Sequence, residues 1–229
     1  MTVPIEQRSR RKRRTSSAAP AGTGHDGVRA QGLRTRHAIV RVARKLLLEG
    51  GPLEFSQRAV ALGAGISISN LQYYFPTRLA VLRAVIEPVI DAYLGDLRRA
   101  LDNSVSPRET LDALMERGLR DANDAESAAL WAHFVSFAST DPGCSRLLDE
   151  WYDTLTRELA QLVRAANPEC HEADSLHVAT LLIALVDGGL ALQLGAGRHK
   201  RTYMQGFDAR FRATAKYLVW GKLLDVGGT

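Results

Sequence analysis

Apolar residues in this chain recur at intervals of three and four, and no segment combines sustained alternation with hairpin turns, so the pattern predicts an all-α protein. Ile39, Val42, Ala43, Leu46 and Leu47 form one face of a first helix, which Gly50, Gly51 and Pro52 end. Further on, Val81, Val85, Val89, Leu94, Leu97 and Leu101 mark a long helix opened by Thr77, and Pro88 inside it removes one backbone bond and should bend it. Ser106, Pro107 and Glu109 supply a cap, a first-turn proline and a capping-box glutamate for the next helix, which runs to about Asp121. Asp124, Asp141 and Asn167 should cap three more, the last two with Pro142 and Pro168 at the first helical position. A final helix covers roughly Tyr203 to Lys222, bringing the expected total to about nine.

Between Phe55 and Phe75 the pattern tightens. Ser56 caps a short helix whose inward residues are Val60, Ala61 and Ala64, Gly65 permits a sharp turn, and Ser67 caps a second short helix. Leu71 and Phe75 lie four apart on its inner face, leaving Ile68, Ser69, Gln72 and Tyr73 outside. Two short helices joined through a glycine-bearing turn predict a helix-turn-helix.

Residues 1–30 hold almost no large apolar side chain and should be a disordered basic arm, with folded structure starting near Leu33. Residues 31–78 then form the helix-turn-helix domain and 79–224 a second helical domain. The apolar stretch 179–194 is too short for a bilayer span and carries Asp187, Gly188 and Gly189 midway. Each mid-helix glycine costs about 1 kcal/mol against alanine, which points to close approach of another helix.

Charge sharpens the picture. Residues 1–36 hold nine Lys/Arg against Glu6 and Asp26, whereas the remainder carries 21 basic and 23 acidic residues. Basicity concentrated at one end points to a polyanion, with nucleic acid and a membrane surface both compatible. Cys144 and Cys170 match neither a zinc site nor a disulfide framework and the basic N-terminus lacks a signal peptide's apolar stretch, so a reduced cytoplasmic protein is expected. No nucleophile–base arrangement, phosphate-cradling loop or metal constellation suggests an enzyme, and no cofactor or metal is expected.

Residues 55–82, FSQRAVALGAGISISNLQYYFPTRLAVL, resemble the DNA-binding motif of the TetR family: a helix, an Ala-Gly turn, a recognition helix, an aromatic-Pro stop and a basic residue, in order and without a gap. Gln72 stands where that family usually has tyrosine and Arg78 where it usually has lysine. More weakly, Trp131, Asp141-Pro142, Trp151-Tyr152 and the 185–190 segment are similar to the BetI-type ligand domain of that family. The resemblance implies an effector pocket among helices four to seven and a four-helix dimer interface from the last two helices. Leu182, Leu185, Val186, Gly189, Leu190, Phe207, Phe211 and Tyr217 are the candidates for that interface.

On this reading the partners are an operator duplex, a small-molecule effector and a second copy of the chain. Asn70 and Gln72 can pair with adenine, Ile68 can pack on a thymine methyl, Tyr73 and Tyr74 can reach phosphates or a methyl, and Ser69 shares their face. Arg34, Thr35, Arg36, Arg58, Thr77 and Arg78, at or near the motif's helix N-termini, are candidates for phosphate, and the capping residues Ser56 and Ser67 count among the DNA-binding candidates. Arg8, Arg10, Arg11, Lys12, Arg13 and Arg14 in the arm either follow the DNA or simply solubilise the chain. Trp131, Phe134, Phe137, Trp151, Tyr152 and Leu155 concentrate aromatic surface for a pocket, with His133 or His177 as polar anchors. Pro88 is the expected pivot between pocket and DNA domain. An architectural DNA-binding protein with a filled core is the alternative.

Overall fold

The computed structural model describes residues 23–102, 106–193 and 200–221, and among these it contains nine α-helices, 3-10 turns and no strand. The chain divides into two units, residues 1–36 and 37–229.

The first helix, α1, spans Thr23–Glu54 and so begins ten residues before Leu33. Side-chain bonds within this stretch join neighbouring turns: the Arg34 guanidinium donates to Gln31 Oε1 at 2.8 Å, and the Thr35 hydroxyl donates to the Gln31 carbonyl at 3.1 Å. Residues 23–30, expected to be unstructured, are therefore helical, while the basic cluster 8–14 lies outside the described residues.

In the second unit α1 presents Ile39, Ala43 and Leu47, all fully buried. At Gly51 the backbone turns to φ 60°, ψ −161°, and a last turn carries Pro52 to Glu54. This break falls where the glycine–proline run predicts it. The short helices α2 (Gln57–Gly63) and α3 (Ile68–Tyr74) follow, joined through Gly65 at φ 65°. The Ser56 hydroxyl accepts from the Ala59 amide at 3.2 Å and the Ser67 hydroxyl from the Asn70 amide at 3.1 Å, satisfying donors that each helix start leaves open. Thr77 does the same for α4 (Arg78–Asp102), which runs through Pro88 as one helix.

Helices α5 (Pro107–Asn123), α6 (Ala125–Ala138) and α7 (Pro142–Ala166) start at Ser106, Asp124 and Asp141, each side chain accepting from an amide of the first turn. Asn167 departs from expectation. It ends α7 rather than capping α8, because its side-chain amide donates to the Val219 carbonyl at 2.7 Å and its Oδ1 accepts from Glu169. Residues 168–170 form a turn, and α8 begins only at Glu172 and runs to Gln193. The last helix, α9, spans Phe207–Trp220, later than expected: Thr202–Met204 form a 3-10 turn and Gly206, at φ 76°, separates the two.

Two large apolar clusters result among the described residues, beside a small one of Ala122 and Ala128. One joins Ile39, Leu47, Phe55, Leu71 and Phe75 to Leu82 of α4, Phe134 and Phe137 of α6 and Trp151 of α7, so the helix-turn-helix and the helices behind it share a core. The other gathers Leu97, Leu111, Leu159, Leu162, Leu182 and Phe211. Helices α5 and α8 approach closely at Gly118, where an added Cβ would lie 2.9 Å from the Val186 methyls. Within the chain, a Cβ at Gly188 would meet nothing within 4 Å among the described residues, and one at Gly189 would touch the Phe211 ring of α9 at 3.7 Å, so a close neighbour for Gly188 is not supplied by the chain's own described helices.

Candidate DNA interface and internal cavity

The outer face of α3 is built from below by Leu71 and Phe75, which are buried and anchor the helix to the core. Truncating such a residue costs about 2–5 kcal/mol, so the register of α3 is firmly set. Ile68, Ser69, Asn70, Gln72 and Tyr73 then stand outward, with Tyr73 83% exposed. Tyr74 is half-buried against the core, and its ring backs that of Tyr73 edge-on at 5.2 Å, so Tyr74 supports the face more than it extends it. Gln57, absent from the sequence-based candidates, donates to the Phe75 carbonyl at 2.9 Å and fastens α2 to the end of α3.

The flanking candidates divide. Ser56, Ser67 and Thr77 are exposed but their hydroxyls accept from helix amides. Arg58 is exposed on α2, and Arg78, at the first position of α4, lays its guanidinium over the Phe137 ring at 4.6 Å. Arg34, Thr35 and Arg36 sit in the interior of α1, not at its N-terminus, because the helix begins at Thr23. Their backbone amides are therefore not the open donors of a helix start.

Behind this face lies a cavity of about 120 Å³ between α4, α5, α6, α7 and α8. Its wall is apolar, with Ile86, Val89 and Ile90 of α4, Leu130 of α6, Leu159 of α7 and Ile183 of α8. Of the residues named for an effector pocket, Trp131, Trp151 and Leu155 line it. Trp131 packs edge-on to Trp151 at 4.8 Å, and the buried Trp151 indole nitrogen has no hydrogen-bond acceptor among the described residues. Phe134 and Phe137 do not line it; both are fully buried core, Phe137 edge-on to Phe55 at 5.6 Å. His133 faces Gly51 instead, and His177 is exposed on α8. Tyr152 lies just outside the wall, with its hydroxyl bonded to Asp187.

The charges at the wall were not among the sequence-based candidates. Arg44 pairs with Glu126 at 2.7 Å. Asp121 accepts from the Tyr93 hydroxyl and lies 3.7 Å from the Arg117 guanidinium. Asp187 has only the Tyr152 hydroxyl, and among the described residues no cation pairs with it. Burial pushes the Asp187 carboxyl above the ordinary carboxylate range, against the opposing pull of the Tyr152 bond. Burial likewise raises the Tyr152 and Tyr93 phenols, each reinforced by its carboxylate. Among the described residues, Asp187 is thus the wall carboxylate without a cation.

Residues 107–220 match the family model described as the C-terminal domain of BetI-type transcriptional repressors. The HTH-type transcriptional regulator BetI of Rhizobium meliloti (strain 1021) is 28% identical over 154 residues, 67% of this chain and 74% of that protein. Salmonella enterica GusR superposes with a TM-score of 0.67 at 21% identity, covering 82% of this chain and 96% of that one. The chain belongs to the TetR family of transcriptional regulators. A transcriptional regulator of this fold from Saccharomonospora viridis, in complex with choline, superposes with a TM-score of 0.62 at 20% identity over 82% of this chain and 96% of that one.

For a TetR-family chain the last two helices are where pairing is expected, and the structure redistributes the residues named for it. Leu182 and Phe211 are buried inside the protomer, Val186 packs on Gly118, and Gly189 lies against Phe211. Leu185 and Phe207 are partly buried against the second core, Tyr217 is exposed, and the side chain of Leu190 lies outside the described residues. The outward face of α8 carries His177, Leu181, Ala184 and Gly188, with Leu181 47% exposed. The nearly uniform apolar composition of 179–194 hid which side faced in. Among the described residues no helix is long and apolar enough to cross a membrane.

Proposed function

We propose that this TetR-family protein is a homodimeric repressor that holds a pseudo-palindromic operator with two copies of α3 and releases it when a small organic cation enters the cavity. The observation that carries the effector class is Asp187: a carboxylate in an aromatic and aliphatic chamber with no cationic partner among the described residues. A buried ionised group without a partner is costly, and a ligand that brings a positive charge removes that cost. Trp131 and Trp151 offer ring faces to the same charge. The buried Trp151 indole N–H has no acceptor among the described residues, so a ligand oxygen that reached it would satisfy a donor otherwise left unpaired. Choline in the Saccharomonospora viridis relative has both features, a quaternary ammonium and a hydroxyl.

On the DNA side, Gln72 and Asn70 supply paired donor and acceptor groups for base edges, Ile68 a methyl contact and Tyr73 a long reach. One such helix covers few base pairs. Two, about one helical turn apart, give a useful specificity ratio, so dimerisation through the outward faces of α8 and α9 is part of recognition. The effector acts by preferring the conformer in which the two α3 helices are wrongly spaced.

The test uses a duplex selected by the full-length protein from a random pool, with binding read by fluorescence anisotropy. Choline should weaken the complex, and its neutral carbon analogue bearing a tert-butyl group should not. Asp187→Asn should bind the duplex normally and lose the choline response. If the neutral analogue releases DNA as well as choline does, or Asp187→Asn responds like the wild type, the cation reading is wrong.

A further inference from the structure

A second cavity, of about 130 Å³, lies between α5, α8 and α9. Its apolar lining is Leu111, Met115, Leu182, Ala215, Val219 and Trp220. The rest of its lining is two ion pairs that tie α5 to α9: Arg212 grips Glu116 through its Nε and one terminal nitrogen, and Lys216 reaches Asp112 at 3.7 Å. Two of its residues, Met115 and Leu182, also line the first cavity. Met115 and Leu182 thus form part of the wall between the two spaces.

The nature of that partition matters. Leu182 is fully buried on the inner face of α8 and is held on several sides by the second core. Met115 is unbranched and polarisable, with three rotatable bonds, and adapts to a change of neighbours where a branched side chain would not. Moving it to another rotamer well costs little once apolar ligand atoms fill the space it vacates and restore the dispersion attraction there. The first cavity holds the carboxylate without a cation among the described residues, whereas the charged groups around the second are already paired with each other. A charged head therefore belongs in the first and an uncharged segment in the second.

Resting on the cation reading above, we propose that the second cavity is a tail subsite: Met115 swings aside to admit the alkyl chain of an amphiphilic quaternary ammonium whose head is held beside Asp187. The effector class is then a cation carrying an apolar tail, and Met115 is a positioning residue that sets how long a tail is accepted. Each buried methylene should tighten binding about fourfold until the second cavity is full.

The three tryptophans make the proposal testable in the full-length protein, since Trp131 and Trp151 line the first cavity and Trp220 the second. Alkyltrimethylammonium ions from methyl to decyl are titrated calorimetrically, and tryptophan fluorescence is followed in the wild type and in Trp220→Phe. Tetramethylammonium should change the emission of Trp131 and Trp151 alone, and longer chains should add a component that Trp220→Phe removes. Met115→Ala should tighten the long chains selectively. Met115→Ile, similar in volume but stiff at χ1, should lose the gain with chain length while keeping tetramethylammonium affinity. Circular dichroism confirms that each variant is folded. No binding of tetramethylammonium sinks the cation reading and this proposal with it. If tetramethylammonium binds but longer chains add no affinity, leave Trp220 emission unchanged, or respond identically in both Met115 variants, the tail subsite alone is overturned.

Discussion

The three hydroxyls that open α2, α3 and α4 hold helix starts together, and this separates two kinds of residue on the DNA face. Ser67→Ala removes a cap and should lower stability by about 1 kcal/mol, with operator affinity falling equally for all sequences, as measured by chemical denaturation and binding to a panel of variant duplexes. Changing Gln72 and Tyr73 together to alanine should leave the denaturation midpoint unchanged and flatten the preference among the same duplexes, because both side chains stand outside the core. Asp187 gives the matching test in the cavity. Its carboxyl is raised by burial, so the folded state binds the proton more tightly than the unfolded chain, and stability falls as pH rises from the unfolded value through the folded one. Asp187→Asn should therefore melt higher than the wild type at neutral pH and equally at pH below the unfolded value. None of these charges was legible in the sequence as a site: Asp187 stood out only as an interruption of an apolar run, and Asp121 and Tyr93, 28 residues apart, meet only because α4 and α5 pack together.

Elements were far easier to read, because caps and periodicity are local. Ser56, Ser67, Thr77, Ser106, Asp124 and Asp141 each sit where the sequence places a helix start. Asn167 failed because its amide is claimed by Val219, 52 residues away, a contact no local rule contains. The proposed transmission between cavity and DNA face, expected through Pro88 of α4, would have a second contact path in α6. That helix lines the cavity with Leu130 and Trp131 and meets the helix-turn-helix with Phe137, against Phe55 and under Arg78, while its His133 faces the Gly51 break. Gly118 tests the packing on the opposite side. Gly118→Ala presses a methyl onto Val186 and should cost about 1–3 kcal/mol in thermal or denaturant unfolding, with Val186→Ala in the same chain recovering part of the loss.

For the whole molecule, the proposed pair of chains places its contact on the outward residues of α8 and on α9. Leu181→Glu combined with Ala184→Arg should leave the protomer folded by circular dichroism, shift light scattering toward the monomer and abolish operator binding. Leu182→Ala, by contrast, should lower the melting temperature without a specific effect on association, because that side chain is buried within its own chain. The family and the helix-turn-helix were legible because their signal is a run of contiguous residues. The sides of α8 were not, since composition there is apolar all round and only packing against α5 and α7 decides which residues turn inward. Asp187 faces the chamber, and Gly188, its immediate neighbour in the chain, faces out. On the proposed effector site and pairing, substitutions that retune which signal is sensed would therefore accumulate without altering who pairs with whom. Duplicated genes of this design would drift apart in chemical sensitivity while their products still mix, and insulation between the two regulators would have to be acquired separately, at Leu181, Ala184 and Gly188.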